Sequence, residues 1–178
     1  MLIILDRDGV INYDSEDYIK SPVEWIPIPH SLEAITALNK AGHTIVVATN
    51  QSGVGRGYYT LETMHQIHEK MQSALKKLGG HIDGIYYCIH TPETGCVCRK
   101  PKPGLMLQIK RDYPELFSSA LVVGDSLRDL QAAHAAGCEA VLVKTGNGFK
   151  TLANLEEMKS ILVYESLAHF TQHILNSK

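Results

Sequence analysis

Leu2–Leu5, Thr44–Ala48, Ala120–Val123 and Ala140–Val143 are short runs of almost wholly apolar, largely β-branched residues, with longer amphipathic stretches between them. A strand that is apolar on successive residues must be covered on both faces. A strand with one wet face alternates instead. Such strands separated by helical stretches predict a parallel sheet between two helix layers, a three-layer α/β/α Rossmann-like fold. Two weaker runs, Ile82–Cys88 and Ile161–Val163, extend the set.

The intervening stretches carry helical periodicity. Leu32, Ile35 and Leu38 share a face, with Ser31 placed to cap and Gly42 to stop. Thr60 precedes a longer helix with Leu61, Met64, Ile67, Met71, Leu75 and Leu78 at three- and four-residue intervals, ended by Gly79-Gly80. Gly104–Asp112, Leu127–Ala136 and Leu167–Leu175 read as further helices, with Gly137 stopping the second. No repeat, linker or low-complexity segment divides the chain, so residues 1–178 are expected to form one domain.

Composition narrows the function classes. The chain has 17 Lys+Arg against 19 Asp+Glu, a formal net charge of -2, and so lacks the broad basic surface expected of a nucleic-acid binder. No apolar run approaches the roughly 18 residues of a membrane span, and the Met1–Asp6 start reads as no signal peptide. A cytoplasmic protein without nucleic-acid or membrane partners is expected.

In parallel sheets ligands bind beyond the carboxyl ends of the strands. Those exits are Asp6-Arg7-Asp8-Gly9, Thr49-Asn50-Gln51-Ser52-Gly53 and Gly124-Asp125-Ser126-Leu127-Arg128-Asp129. Asp6 and Asp8 can divide the roles of ionised nucleophile and protonated general acid. Asp125 adds a third acid, and three converging carboxylates call for a hard cation such as Mg²⁺. Thr49 offers a hydroxyl, the Asn50 backbone an N–H, and Lys100 the charge a transferring phosphoryl group needs. Each aspartate alone could equally be a cap or turn acid; their convergence at strand exits favours chemistry. Arg7 is expected to point away into a structural ion pair, and Asp129 to orient Lys100 or the metal's surroundings. Cys88, His90, Cys96 and Cys98 fall within eleven residues, a Cys₃His set suited to structural zinc. The alternatives are a Cys96–Cys98 disulfide or an unligated cluster. His65 and His68 share a helix face and read as solvated surface.

Asp6-Arg7-Asp8-Gly9-Val10-Ile11 resembles the first motif of the haloacid dehalogenase superfamily of phosphohydrolases. Thr49, Lys100 and Gly124–Asp129 match its second, third and fourth motifs in order, over Met1 to about Lys150. That resemblance implies an aspartyl-phosphate formed on Asp6, Asp8 as acid and then base, and Mg²⁺ held by Asp6, the Asp8 backbone carbonyl and Asp125. About forty residues separate the first motif from the second and about fifty the second from the third, too few for a large cap domain. The site is therefore expected to be open, with specificity in the loops Asn12–Pro27, Gln51–Tyr59 and Cys88–Arg99.

The zinc loop running into Arg99-Lys100-Pro101-Lys102 resembles one branch of the superfamily, whose members act on heptose 1,7-bisphosphate or on histidinol phosphate. Thr49–Gly57 and Asp83–Cys88 are similar to the heptose side, which implies cleavage at C7 in the supply of nucleotide-activated heptose for surface glycans. The short His90–Cys96 loop is closer to the histidinol side, and Ser126 stands where the heptose side commonly has lysine. Asn50, Gln51, Ser52, Arg56, Arg99 and Ser126 are the expected contacts to a phosphorylated sugar, with Lys102 near the rim; the chain is expected to act as a monomer. Asp14, Glu16 and Asp17 could serve a cationic substrate under the histidinol alternative. A non-enzymatic zinc-loop binding module is the remaining alternative.

Overall fold

A computed structural model describes residues 1–155 and 161–177. Its elements are β1 (Leu2–Leu5), α1 (Ser31–Lys40), β2 (Thr44–Asn50), α2 (Ser52–Gly55), α3 (Leu61–Lys77) and β3 (Gly84–Cys88), then α4 (Gly104–Asp112), α5 (Pro114–Phe117), β4 (Leu121–Gly124), α6 (Leu127–Ala136), β5 (Glu139–Val143), α7 (Gly148–Ala153), β6 (Leu162–Tyr164) and α8 (Leu167–Asn176). The six strands form one sheet in the order β3-β2-β1-β4-β5-β6, every pairing parallel.

Alternation along each strand feeds two cores. Ile3, Leu5, Ile45 and Val47 point into one, with Ile35 and Leu38 of α1, Ile67, Met71 and Leu75 of α3, and Phe170 of α8. Leu2, Ile4, Val46 and Ala48 point into the other, with Leu105 and Ile109 of α4, Phe117 of α5 and Ala132 of α6. This is the three-layer arrangement expected from unbroken apolar strands. The tail beyond Lys150 joins the same body, because β6 pairs with β5 and α8 packs on α1. No large cap interrupts the described residues, and no helix among them is long and apolar enough to cross a membrane.

Several local expectations need correction. Ser31 does not cap α1; the cap position is His30, with φ 65°, and the Ser31 hydroxyl donates to the Ile11 carbonyl at 2.6 Å. The buried hydroxyl thus ties the loop after β1 to the helix. Leu61 and Leu78 keep the α3 periodicity but lie at its exposed ends. β2 runs two residues further than its apolar run, so Thr49 and Asn50 are still held by pairing to Tyr87 and Cys88. β3 begins later than Ile82, at Gly84, and the one-turn helices α2 and α5 and the short α7 carry too little periodicity to read from sequence.

Candidate active site

β1 and β4 are neighbours at the sheet centre, so the acids that follow them meet at one carboxyl edge. Lys100, in the loop between β3 and α4, is buried and bridges two of them. Its Nζ lies 3.0 Å from Asp6 Oδ1 and 2.6 Å from Asp129 Oδ1, and donates to the Ala48 carbonyl at 2.7 Å. Asn50 holds the Lys100 backbone from both sides: its Nδ2 donates to the Lys100 carbonyl at 3.0 Å, and its Oδ1 accepts from the Lys100 N–H at 3.1 Å. The Asn50 side chain therefore positions Lys100.

Asp129 sits in the first turn of α6, where its Oδ2 accepts from the Ser126 N–H at 3.0 Å and the Ser126 hydroxyl at 2.6 Å. The Ser126 hydroxyl, expected on substrate, is thus engaged with Asp129, although the residue lines the cleft. Gly124 permits this close approach, since a Cβ there would collide with the Asp129 side chain. Gly9, at φ +82°, does the same for Asp125, whose carboxylate fills the space a Cβ would need.

Burial, and after it the charge of Asp129, push the Asp6 carboxyl well above the usual range, while Lys100 opposes them. Burial and Asp129 likewise raise Asp125 to about 7. Burial also acts to raise Asp129, but Lys100 outweighs it and holds that carboxyl below its ordinary value. Two adjacent carboxyls that resist ionisation mark a place short of positive charge. Asp6, Asp125 and Asp129 each present an oxygen within 4.8 Å of the others, a hard-donor set that fits Mg²⁺.

Asp8 lies beside this centre and is held from all sides. Arg7 donates from Nη2 to Oδ1 and Oδ2 at 2.9 and 3.0 Å and from Nε to Oδ1 at 3.1 Å. Asn12 Nδ2 donates to Oδ1 at 2.8 Å and Gln51 Nε2 to Oδ2 at 2.9 Å. Gln51 also donates to the Thr49 hydroxyl at 2.9 Å and accepts from the Tyr59 hydroxyl at 2.7 Å. Arg7 therefore does not point away from the site: it is buried and forks onto Asp8. His68 is not solvated surface either, since it is buried against Arg7.

Above the acids lies a cleft of about 380 Å³. Ser52, Arg56, Tyr59, Pro92 and Arg99 line it, so the second and third predicted loops both contribute; Asp14, Ser15 and Tyr18 bring in the first. Arg128 and Asn147, absent from the expected site, line it as well. Burial first, and then the charge of Arg128, lower the Arg99 pKa, and both guanidinium-bearing residues line the cleft. Lys102 does not reach the rim; its Nζ donates to the Gly95 carbonyl at 2.9 Å. Of the three acids expected to serve a cationic substrate, Asp14 alone lines this cleft, and its Oδ2 accepts from Asn147 at 3.0 Å. Asn147 also donates to Asp125 Oδ2, from its backbone N–H at 2.7 Å and its side chain at 3.3 Å. Sequence position could have signalled Asn147, which follows the exit of β5, and His68, which falls on the apolar stripe of α3 between Met64 and Met71; Tyr59 carried no comparable mark.

The four loop ligands converge. Cys98 Sγ lies 3.2 Å from Cys88 Sγ and 3.5 Å from Cys96 Sγ, and His90 Nδ1 lies 3.3 Å from Cys98 Sγ and 3.6 Å from Cys88 Sγ. Zn–S bonds of about 2.3 Å in a tetrahedron give sulfur edges of about 3.8 Å, close to these separations. Neither these three cysteines nor Cys138 is in a disulfide, so the alternative Cys96–Cys98 bridge is absent from this structure. The cluster touches the cleft through Arg99, whose Nη1 donates to the His90 carbonyl at 3.3 Å.

This geometry has counterparts. The HAD-hydrolase-like family model matches residues 97–170. The D-glycero-beta-D-manno-heptose-1,7-bisphosphate 7-phosphatase of Bordetella bronchiseptica is 51% identical over 174 residues, covering 98% of this chain and 97% of that one. The chain belongs to the haloacid-dehalogenase-like hydrolases. The Pseudomonas aeruginosa protein of the same name is 50% identical to this hydrolase over 175 residues, covering 98% and 97% of the two chains. The crystal structure of the B. bronchiseptica D,D-heptose 1,7-bisphosphate phosphatase, complexed with magnesium and phosphate, matches with a TM-score of 0.97 at 50% identity, covering 99% of each chain. That of the Burkholderia thailandensis enzyme matches at 0.77 and 41% identity, covering 98% and 97%.

Proposed function

We propose that the protein is a phosphoric monoester hydrolase that removes the C7 phosphate of D-glycero-beta-D-manno-heptose 1,7-bisphosphate. Residues 1–178 act as one domain, as a cytoplasmic monomer, in the supply of nucleotide-activated heptose. The observation that carries this reading is an acidic reaction centre under an arginine rim, in a chain about half identical, end to end, to enzymes named for that substrate.

Each residue has a defined task. Asp6 Oδ1 is tied down by the Arg7 N–H at 2.7 Å and by Lys100. That leaves Oδ2 to bond to phosphorus while the bond from phosphorus to the C7 oxygen breaks. Asp8 gives its proton to the departing sugar oxygen, then takes one from the water that cleaves the aspartyl-phosphate. Thr49 and the Asn50 backbone N–H meet the phosphoryl oxygens, and Lys100 opposes their charge. Asp6, the Asp8 carbonyl and Asp125 would hold Mg²⁺, which supplies charge neutralisation at the phosphoryl group. Cys88, His90, Cys96 and Cys98 would hold zinc, which fixes the loop carrying Arg99 and Lys100.

Gln51 orients Asp8, and Ser52 lines the cleft beside it. Arg56, Arg99 and Arg128 grip the second, unreacting phosphate, whose binding energy orients the first. A primary phosphate enters such an open cleft end-on, which favours C7 over C1. The test is a panel of heptose 1,7-bisphosphate, heptose 7-phosphate and histidinol phosphate, with Mg²⁺ or with chelator. The reading expects the highest kcat/KM for the bisphosphate and none of the activity with chelator. Equal or better turnover of histidinol phosphate overturns it.

A further inference from the structure

Arg7 and His68 are buried, and the roles above leave both unexplained. Arg7 spends Nε and Nη2 on Asp8, while its other terminal nitrogen, Nη1, lies 3.2 Å from His68 Nε2. A guanidinium only donates, so His68 Nε2 accepts, and the ring carries its proton on Nδ1. His68 comes from the buried face of α3, whose Ile67, Met71 and Leu75 pack into the core against the sheet. Its ring also stands 6.1 Å from that of Tyr87 on β3. A bidentate fork fixes a carboxylate in direction as well as distance, and the acceptor behind the fork sets the fork's own angle.

We propose that His68 is a positioning residue for this reaction: acting through Arg7, it sets the direction in which Asp8 presents its carboxyl to the departing sugar oxygen. Burial and the Arg7 charge hold its pKa down to about 3, so the ring stays neutral and remains an acceptor throughout the working range. The lever spans sixty-one positions of sequence and lies outside the cleft lining. The inference rests on Asp8 being the general acid, and its test separates the two.

The assay compares kcat/KM for heptose 1,7-bisphosphate with that for p-nitrophenyl phosphate. This ratio constant reports steps up to loss of the leaving group. A sugar alkoxide needs a proton to leave and p-nitrophenolate does not, so a misaimed acid harms only the first substrate. General-acid assistance is worth about 10²–10⁴, and misdirection forfeits part of it. His68→Leu is expected to lower kcat/KM about tenfold on the bisphosphate and less than about twofold on p-nitrophenyl phosphate. His68→Gln, whose amide reaches to the place of Nε2, restores the parent ratio; His68→Asn, which reaches only to Nδ1, does not. Arg7→Lys keeps the charge without the fork and gives the same selective loss, which serves as the readout if His68→Leu does not fold. Parallel losses on both substrates, or a Gln variant no better than Leu, overturn the inference if Asp8→Asn is itself selective for the bisphosphate. An unselective Asp8→Asn overturns the general-acid reading and the inference with it.

Discussion

Replacing Asp125 with Asn should stabilise the metal-free protein while destroying its response to Mg²⁺. Asp125 is 2% exposed, and burial together with Asp129 raises its pKa from an ordinary 3.8 to about 7. Between those values the folded state binds more protons than the unfolded one, so stability falls as pH rises from about 4 to about 7 and is level above. The gap of about three units corresponds to a ceiling on the order of 4 kcal/mol. Both Asn147 donors end on Oδ2, so asparagine keeps one oxygen for the pair, but it buries an amide where Oδ1 stood, and a net gain of about 2 kcal/mol at pH 8 is expected. At this chain length that is a Tm rise of about 4–8 °C at pH 8 in chelator, shrinking as pH falls and reversing in sign near pH 4, where only the cost of the amide is left. Calorimetry of parent and variant, with and without Mg²⁺, measures it. The parent should gain Tm on adding Mg²⁺ and the variant should not. A variant less stable than the parent in chelator at pH 8, or one still stabilised by Mg²⁺, refutes the reasoning.

Asp6→Asn keeps the shape and removes the attacking oxygen, so turnover should vanish with the fold intact by circular dichroism; activity within tenfold of the parent contradicts the covalent route. Elemental analysis should find zinc, and Cys96→Ser or Cys98→Ser should lose it, with lower Tm and activity, because the Arg99–His90 link then hangs on a loose loop. Arg56→Ala or Arg128→Ala should raise KM about tenfold for the bisphosphate and little for heptose 7-phosphate, which has no second anion to lose; steady-state kinetics with both substrates decides this.

The layers of the fold were legible because burial on both faces leaves an unbroken apolar signature, as in Leu2–Leu5. The acids were legible because strand exits are where a parallel sheet exposes its backbone, and Asp6, Asp8 and Asp125 stand there. What escaped was set by long-range contact. His68 falls on the apolar stripe of α3 between Met64 and Met71, so its burial was legible, but its partner Arg7 arrives from β1's exit sixty-one positions away and was not. Asn50 and Ser126 read as ligand contacts, yet their side chains engage Lys100 and Asp129. Arg128 follows Asp125 within the recognised motif, but its aim into the cleft depends on the first turn of α6. Ser31 had the chemistry of a cap and found a better acceptor in the Ile11 carbonyl.

The central claim, attack at the C7 phosphate through Asp6, is tested most directly by phosphorus NMR of the reaction with heptose 1,7-bisphosphate in ¹⁸O-water. The account predicts loss of the C7 phosphate resonance with the anomeric phosphate retained. After a single turnover with enzyme in excess, it predicts released phosphate carrying no ¹⁸O beyond one solvent oxygen and Asp6→Asn giving no release. Loss of the anomeric phosphate, or release by the Asp6→Asn protein at the parent's rate, contradicts it.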